Sequence, residues 1–87
     1  MKRTFDEDAW KDYIFWLETD QKVLRKINGL IEDCARSPFK GLGKPEPLKA
    51  ELSGWWARRI DDEHRMIYRI SGKGEAQTLE ILQLRFH

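Results

Sequence analysis

An acid fixed between two prolines, several guanidiniums and a histidine crowd into a single stretch of the chain, Gly41 to Tyr68, which reads GLGKPEPLKAELSGWWARRIDDEHRMIY. Glu46 stands between Pro45 and Pro47, with Lys44 and Lys49 beside it. Pro47 pushes Glu46 out of the helical region and Pro45 limits the approach, so the carboxylate is held on a stiff loop. A held carboxylate near cations can serve as a general base; a solvated loop acid is the other reading of the same residues. Arg59 and Arg65 flank a turn and share their parity with Trp55 and Arg69. One sheet face then carries several guanidiniums, whose forks match phosphate geometry and stay charged, or else a salt-bridged surface. His87 closes the sequence just past Arg85; it is an acid or base near neutral pH, or a frayed end. There is no P-loop, paired cysteine, zinc spacing or serine-nucleophile context. His64 and His87 lie far apart, so neither a metal nor a cofactor is expected.

These groups need a scaffold, and the chain is long enough for one small domain, 87 residues in all. Apolar residues are 40% of the chain and include four Trp, four Phe and two Tyr. That supports a compact core but leaves little room for an internal cavity, which points to a surface groove. Charged residues are 36% and nearly balanced at net +1. Two lysines for one acid from Lys44 to Lys49, and four strand-region arginines whose acids cluster in the turn Asp61-Asp62-Glu63, fit local contact with phosphate as well as an ordinary mixed surface. Cys34 is the single cysteine and falls on an apolar helix stripe, as a small core residue would. No apolar run approaches membrane-spanning length and no signal pattern opens the chain, so a soluble cytoplasmic protein is expected.

The spacing predicts a short edge strand at 2–5, then a helix capped by Asp6 and ending near Glu18. Phe5 and Trp10 occupy the staple positions of that helix, and Trp10, Tyr13, Ile14 and Leu17 form its core stripe. Asp20 caps a second helix whose buried face is Val23, Leu24, Ile27, Leu30, Ile31 and Cys34, stopped at Ser37-Pro38. Residues 37–50 hold three prolines and two glycines and read as an irregular, functional loop. Alternation predicts strands at 55–60, 65–70 and 78–86, the last of them interior to the sheet, with turns at 61–64 and 71–75. The expected fold is α+β, with two N-terminal helices packed on a twisted, mainly antiparallel sheet.

The residues also carry a resemblance. Trp10, Asp12-Tyr13, Trp16, Glu18-Thr19-Asp20, Lys26-Ile27-Asn28 and Pro38-Phe39 carry it in the first half. In the second half it rests on Gly43-Lys44-Pro45-Glu46-Pro47-Leu48-Lys49, Leu52-Ser53-Gly54, Trp56, Arg58-Arg59-Ile60, Glu63-His64-Arg65 and Tyr68. Over nearly its whole length the chain resembles the YoeB toxins of bacterial type II toxin–antitoxin pairs, within the wider RelE-like group with its microbial ribonuclease fold. The resemblance implies a metal-independent endoribonuclease that cleaves mRNA in the ribosomal A site. Glu46 would take the 2′-hydroxyl proton, Arg65 would stabilise the phosphorane, Lys49 and Arg59 would bind phosphate, and His87 would protonate the leaving 5′-oxygen. It also implies a YefM-like antitoxin that folds over the toxin, contact with ribosome and mRNA, and a homodimer when free.

The resemblance breaks at one place. Such toxins end in His-Tyr, whereas this sequence ends Arg85-Phe86-His87. Either the sequence stops one residue short or the activity is weaker. The missing phenol keeps a second reading in view, a non-catalytic ribosome- or RNA-binding module of the same fold. A plain interaction domain for a protein or operator DNA is a third.

Overall fold

The structure, a computed structural model, describes residues 1–86; His87 lies outside the described residues. The chain forms β1 (Lys2–Phe5), α1 (Glu7–Thr19), α2 (Gln21–Arg36), β2 (Glu46–Pro47), β3 (Trp56–Arg59), β4 (Arg65–Ser71) and β5 (Thr78–Gln83). Single turns of 3₁₀ helix at Ala50–Leu52 and Gly74–Ala76 complete it. The five strands make one sheet in the order β1-β5-β4-β3-β2, antiparallel except where β1 runs parallel to β5. This is the expected α+β arrangement, with β5 inside the sheet as its apolar residues at both parities require.

The helix hairpin turns on Asp20, whose Oδ1 accepts from the N–H groups of Lys22 and Val23 (3.0 and 3.2 Å) and so satisfies two donors at the start of α2. From α2, Leu24, Ile27, Leu30, Ile31 and Cys34 share one core with Met66, Tyr68, Leu79 and Ile81 of the sheet and with Ile60 and Leu84 just past the ends of β3 and β5. Cys34 is fully buried, and burial pushes its thiol above the ordinary range, as suits a core residue.

The structure corrects α1. Asp6 occupies the cap position, but its side chain accepts no capping bond. Its N–H donates to Ile81 O (2.9 Å), so the residue is spent on following β1. The staple does form, with the Phe5 and Trp10 rings 5.7 Å apart. The expected core stripe is out of phase. Trp10 and Leu17 are half exposed, while Ala9 and Trp16 are buried. The anchor is polar as well as apolar: the Trp16 indole N–H donates to Leu84 O (3.0 Å) and turns that face of the helix inward.

The loop also needs correction. Glu46 and Pro47 pair with Ala57 and Trp56 as a two-residue edge strand, where irregular backbone was expected. An edge strand tolerates proline because one row of its backbone groups has no partner to lose. The strand expected at 78–86 ends at Gln83, after a register shift opposite Ile67 and Tyr68.

Candidate active site

Pleating sorts the sheet residues onto two faces. Trp56, Arg58, Ile60, Met66, Tyr68 and Ile70 fall on the helix side. Glu46, Ala57, Arg59, Arg65, Ile67 and Arg69 share the opposite side, by the pairings Glu46 with Ala57, Ala57 with Ile67 and Arg59 with Arg65. The arginines expected on one face are therefore Arg59, Arg65 and Arg69, together with the acid Glu46.

The structure brings Glu46 and Arg65 into contact. Arg65 Nη1 donates to Glu46 Oε1 across 3.3 Å, with both side chains partly open to solvent. Glu46 is held by strand pairing and by its two prolines, and Arg65 by the first position of β4. Arg59 stands opposite Arg65 in the ladder, but its guanidinium turns to Asp62 (3.7 Å). Arg59 also lines a surface groove of about 470 Å³ with Lys26, Gly29, Leu30, Gly43 and Lys44. Lys49 is exposed at the head of the 3₁₀ turn Ala50–Leu52, and its ammonium forms no ion pair among the described residues. Farther along the same face, Arg69 stacks 4.4 Å from the Trp55 ring and pairs with Glu80 (3.1 Å). The Ser71 hydroxyl and then Arg69 hold the Glu80 carboxyl below the usual range. Among the described residues no group of three or more His, Cys, Asp and Glu side chains could hold a metal ion. No helix among them is long and apolar enough to cross a membrane.

What fixes the loop before Glu46 is a residue to which sequence reasoning assigned no role. Arg58 is fully buried. Its Nη1 donates to Asp33 Oδ2 (2.7 Å) and Leu42 O (3.0 Å), its Nη2 to Ser37 O (2.5 Å) and Lys40 O (3.0 Å), and its Nε to Tyr68 Oη (3.2 Å). Tyr68 Oη donates in turn to Pro38 O (2.6 Å), and Asp33 Oδ2 also accepts from the N–H of Leu42 (3.0 Å). Backbone groups of the irregular loop, which a small core could not otherwise bury, are thereby satisfied by one guanidinium fork. The Arg58 bond, ahead of the Leu42 N–H, holds the Asp33 carboxyl below the usual carboxylate range. Burial alone would lower Arg58, but the bonds it donates to Tyr68 and Asp33 more than reverse it. Burial pushes the Tyr68 phenol up to about 12. The sequence signal was available: an arginine at an inward parity position between Trp56 and Ile60 must have a buried counter-ion.

His64 is the other group whose place was not foreseen. It is buried, with its ring 4.9 Å from Trp16 and 5.3 Å from Phe86. Its Nδ1 accepts from the Phe86 N–H (2.8 Å).

The comparisons agree with this architecture. Residues 5–87 match the family described as "YoeB-like toxin of bacterial type II toxin-antitoxin system". Toxin YoeB of Streptomyces coelicolor is 54% identical over 87 residues, covering 100% of this chain and 99% of that protein. A solved YoeB/ParE toxin from Agrobacterium tumefaciens superposes with a TM-score of 0.96 at 53% identity, covering 100% of this chain and 99% of that one. The YoeB dimer from Staphylococcus aureus gives a TM-score of 0.89 at 34% identity, covering 100% and 97%. The same toxin has also been solved as a heterotetrameric YoeB–YefM toxin–antitoxin complex, with the same score and coverage. Family match, full-length identity and a shared RelE-like fold converge, and this chain belongs to the YoeB-like toxins of bacterial type II toxin–antitoxin systems.

Proposed function

We propose that the chain is a ribosome-dependent endoribonuclease, acting in the cytoplasm on mRNA in the ribosomal A site. The observation that carries the reading is the Glu46–Arg65 contact, 3.3 Å, on the face of the sheet opposite the helices. A carboxylate and a permanently charged donor meet there on strands rather than on a mobile loop. In the reaction Glu46 takes the proton of the 2′-hydroxyl, whose oxygen then attacks the adjacent phosphorus. Arg65 stabilises the negative phosphorane, with Arg59 and Lys49 binding phosphate. The bond to the 5′-oxygen breaks, that oxygen takes a proton from His87, and the products are a cyclic phosphate and a free 5′-hydroxyl. RNA supplies the nucleophile, so the scheme needs no metal.

In the partner role we assign a YefM-like antitoxin, and for the free protein a homodimer. The support is that the S. aureus relative has been solved both as a dimer and with YefM.

The test is cleavage on mRNA-programmed ribosomes with chelator present. The wild-type chain is expected to cut in the A site. Glu46→Gln should keep ribosome binding and lose about 10²- to 10⁴-fold in rate, the span expected of general acid–base catalysis. Ribosome binding without cleavage by the wild-type chain would overturn the nuclease reading.

A further inference from the structure

The proposed reaction uses no atom of His64, yet this imidazole is only 8% exposed and holds a specific bond at the far end of the chain. The sheet ladder stops at Gln83, and the three described residues after it would fray if nothing tied them down. They are tied. Leu84 N–H donates to Asp12 Oδ2 (2.9 Å), and Leu84 O accepts from the Trp16 indole (3.0 Å). Arg85 O accepts from Gln83 Nε2 (2.8 Å), and the Arg85 guanidinium lies over the Phe15 ring at 3.7 Å. Phe86 is gripped by both backbone groups: its N–H donates to His64 Nδ1 (2.8 Å), and its O accepts from Arg65 N–H (2.9 Å).

Phe86 also sits at φ +61, a left-handed conformation that a bulky side chain holds only when its surroundings impose it. His64 and Arg65 are consecutive residues. One supplies an acceptor from its side chain and the other a donor from its backbone, and together they fix Phe86 beside the strand that carries the Arg65 guanidinium. Because a backbone N–H donates to Nδ1, the ring proton resides on Nε2, which lies 3.8 Å from Glu63 Oε1.

We propose that His64 is a positioning residue. Its Nδ1 lone pair, acting on the Phe86 N–H, sets the point and direction from which the chain continues toward the general acid. This deepens the nuclease reading and rests on it, because the acid is His87. His64 itself touches no reacting atom.

Three substitutions test it. His64→Asn keeps an acceptor oxygen on Cγ, at the place of Nδ1. His64→Gln moves that acceptor one bond farther out, and His64→Ala removes it. All three lose the ring contacts with Trp16 and Phe86, so Asn and Gln should melt at similar temperatures. On programmed ribosomes His64→Gln and His64→Ala should lose about 30-fold or more in kcat with KM little changed, as misplacement of a catalytic group by about 1 Å does. His64→Asn should stay within about fivefold of wild type. In parallel, hydrogen exchange of the Phe86 amide should be slow in the wild type and in His64→Asn, and fast in the other two. Equal kcat losses for Asn and Gln, or a freely exchanging Phe86 amide in the wild type, would overturn the proposal. A wild-type chain that cleaves nothing but protects the Phe86 amide would sink the nuclease reading and leave the anchor standing.

Discussion

Arg58 and Arg59 are neighbours in β3 with the same side chain, and the pleat sends them to opposite faces. Arg58 is fully buried and makes five hydrogen bonds, to one carboxylate, one phenol and three carbonyls. Arg59 is about half exposed, and among the described residues its guanidinium has only a long contact with Asp62. The same contrast holds between Tyr68, locked under the loop, and Arg65, which shares one bond with an exposed Glu46. Guanidinium chemistry is common to both faces; what differs is how many of its donors are already spoken for. A cation with every donor committed holds a structure together. A cation with donors to spare can take up a phosphate. The first face is what lets the second be so open: without the Arg58 clamp the loop leading into Glu46 would bury unsatisfied carbonyls or swing free.

Arg58 is where the two faces should differ most. Arg58→Met leaves the Asp33 carboxylate and the carbonyls of Ser37, Lys40 and Leu42 without their donor. The expected loss is about 3–5 kcal/mol, or a fall in Tm of more than about 10 °C for a domain of this size. Arg65→Ala should invert the pattern, with a stability change below about 1 kcal/mol and a cleavage rate lower by about 10²- to 10³-fold. Thermal unfolding and ribosome cleavage on the same two samples decide it; a wild-type melting curve for Arg58→Met would dissolve the distinction.

A smaller effect sharpens the open face. Lys49→Ala and Arg59→Ala should each raise KM by about three- to tenfold with kcat little changed, as the loss of binding shared by ground and transition states requires. Each should also flatten the salt dependence of RNA binding by about one phosphate contact. A fall in kcat alone would instead move that residue into the transition state.

The smallest expected effect lies in acid. Asp33 is held below its ordinary value of 3.8, mainly by Arg58. The unfolded chain therefore binds this proton first as pH falls. The stability Asp33 contributes is complete above about pH 4 and is lost progressively below it. Asp61 behaves alike: burial alone would raise it, but the N–H groups of Glu63 and His64 outweigh that. Urea midpoints measured from pH 6 down to pH 2 should fall less steeply for Asp33→Asn than for the wild type, though not become flat, since Asp61 and Glu80 remain. An unchanged slope would show that Arg58 does not depend on the charge of its partner.

Much of this was legible beforehand, for identifiable reasons. Period and parity located both helices, three strands and the face shared by Arg59, Arg65 and Arg69, because side-chain direction follows from backbone geometry alone. The prolines marked Glu46 as held. What could not be read depended on distant partners. The Trp16 face of α1 is fixed by Leu84, sixty-eight positions away. The pairing of Glu46 and Pro47 needs β3, and a strand of two residues has no period to detect. Arg58 was visible as an inward charge, but not its carbonyls, since which backbone groups a loop turns inward is a property of the folded loop. His64 looked like a turn residue until the end of the chain arrived beside it.

The strand order carries a consequence for how this protein comes into being. The first strand, β1, has its partner in β5, which is an interior strand bonded on both sides, to β1 and to β4. Lys2 thus waits for Thr78 before it can be seated, a contact of nearly the largest sequence separation the chain allows and correspondingly slow to find. During synthesis the helix hairpin can form early, but the sheet lacks one of its interior strands until residues 78–83 are free. A growing chain therefore cannot complete the sheet before β5 is available. The five-stranded sheet can close only once residues 78–83 have been made and are free to pair with β1 on one side and β4 on the other.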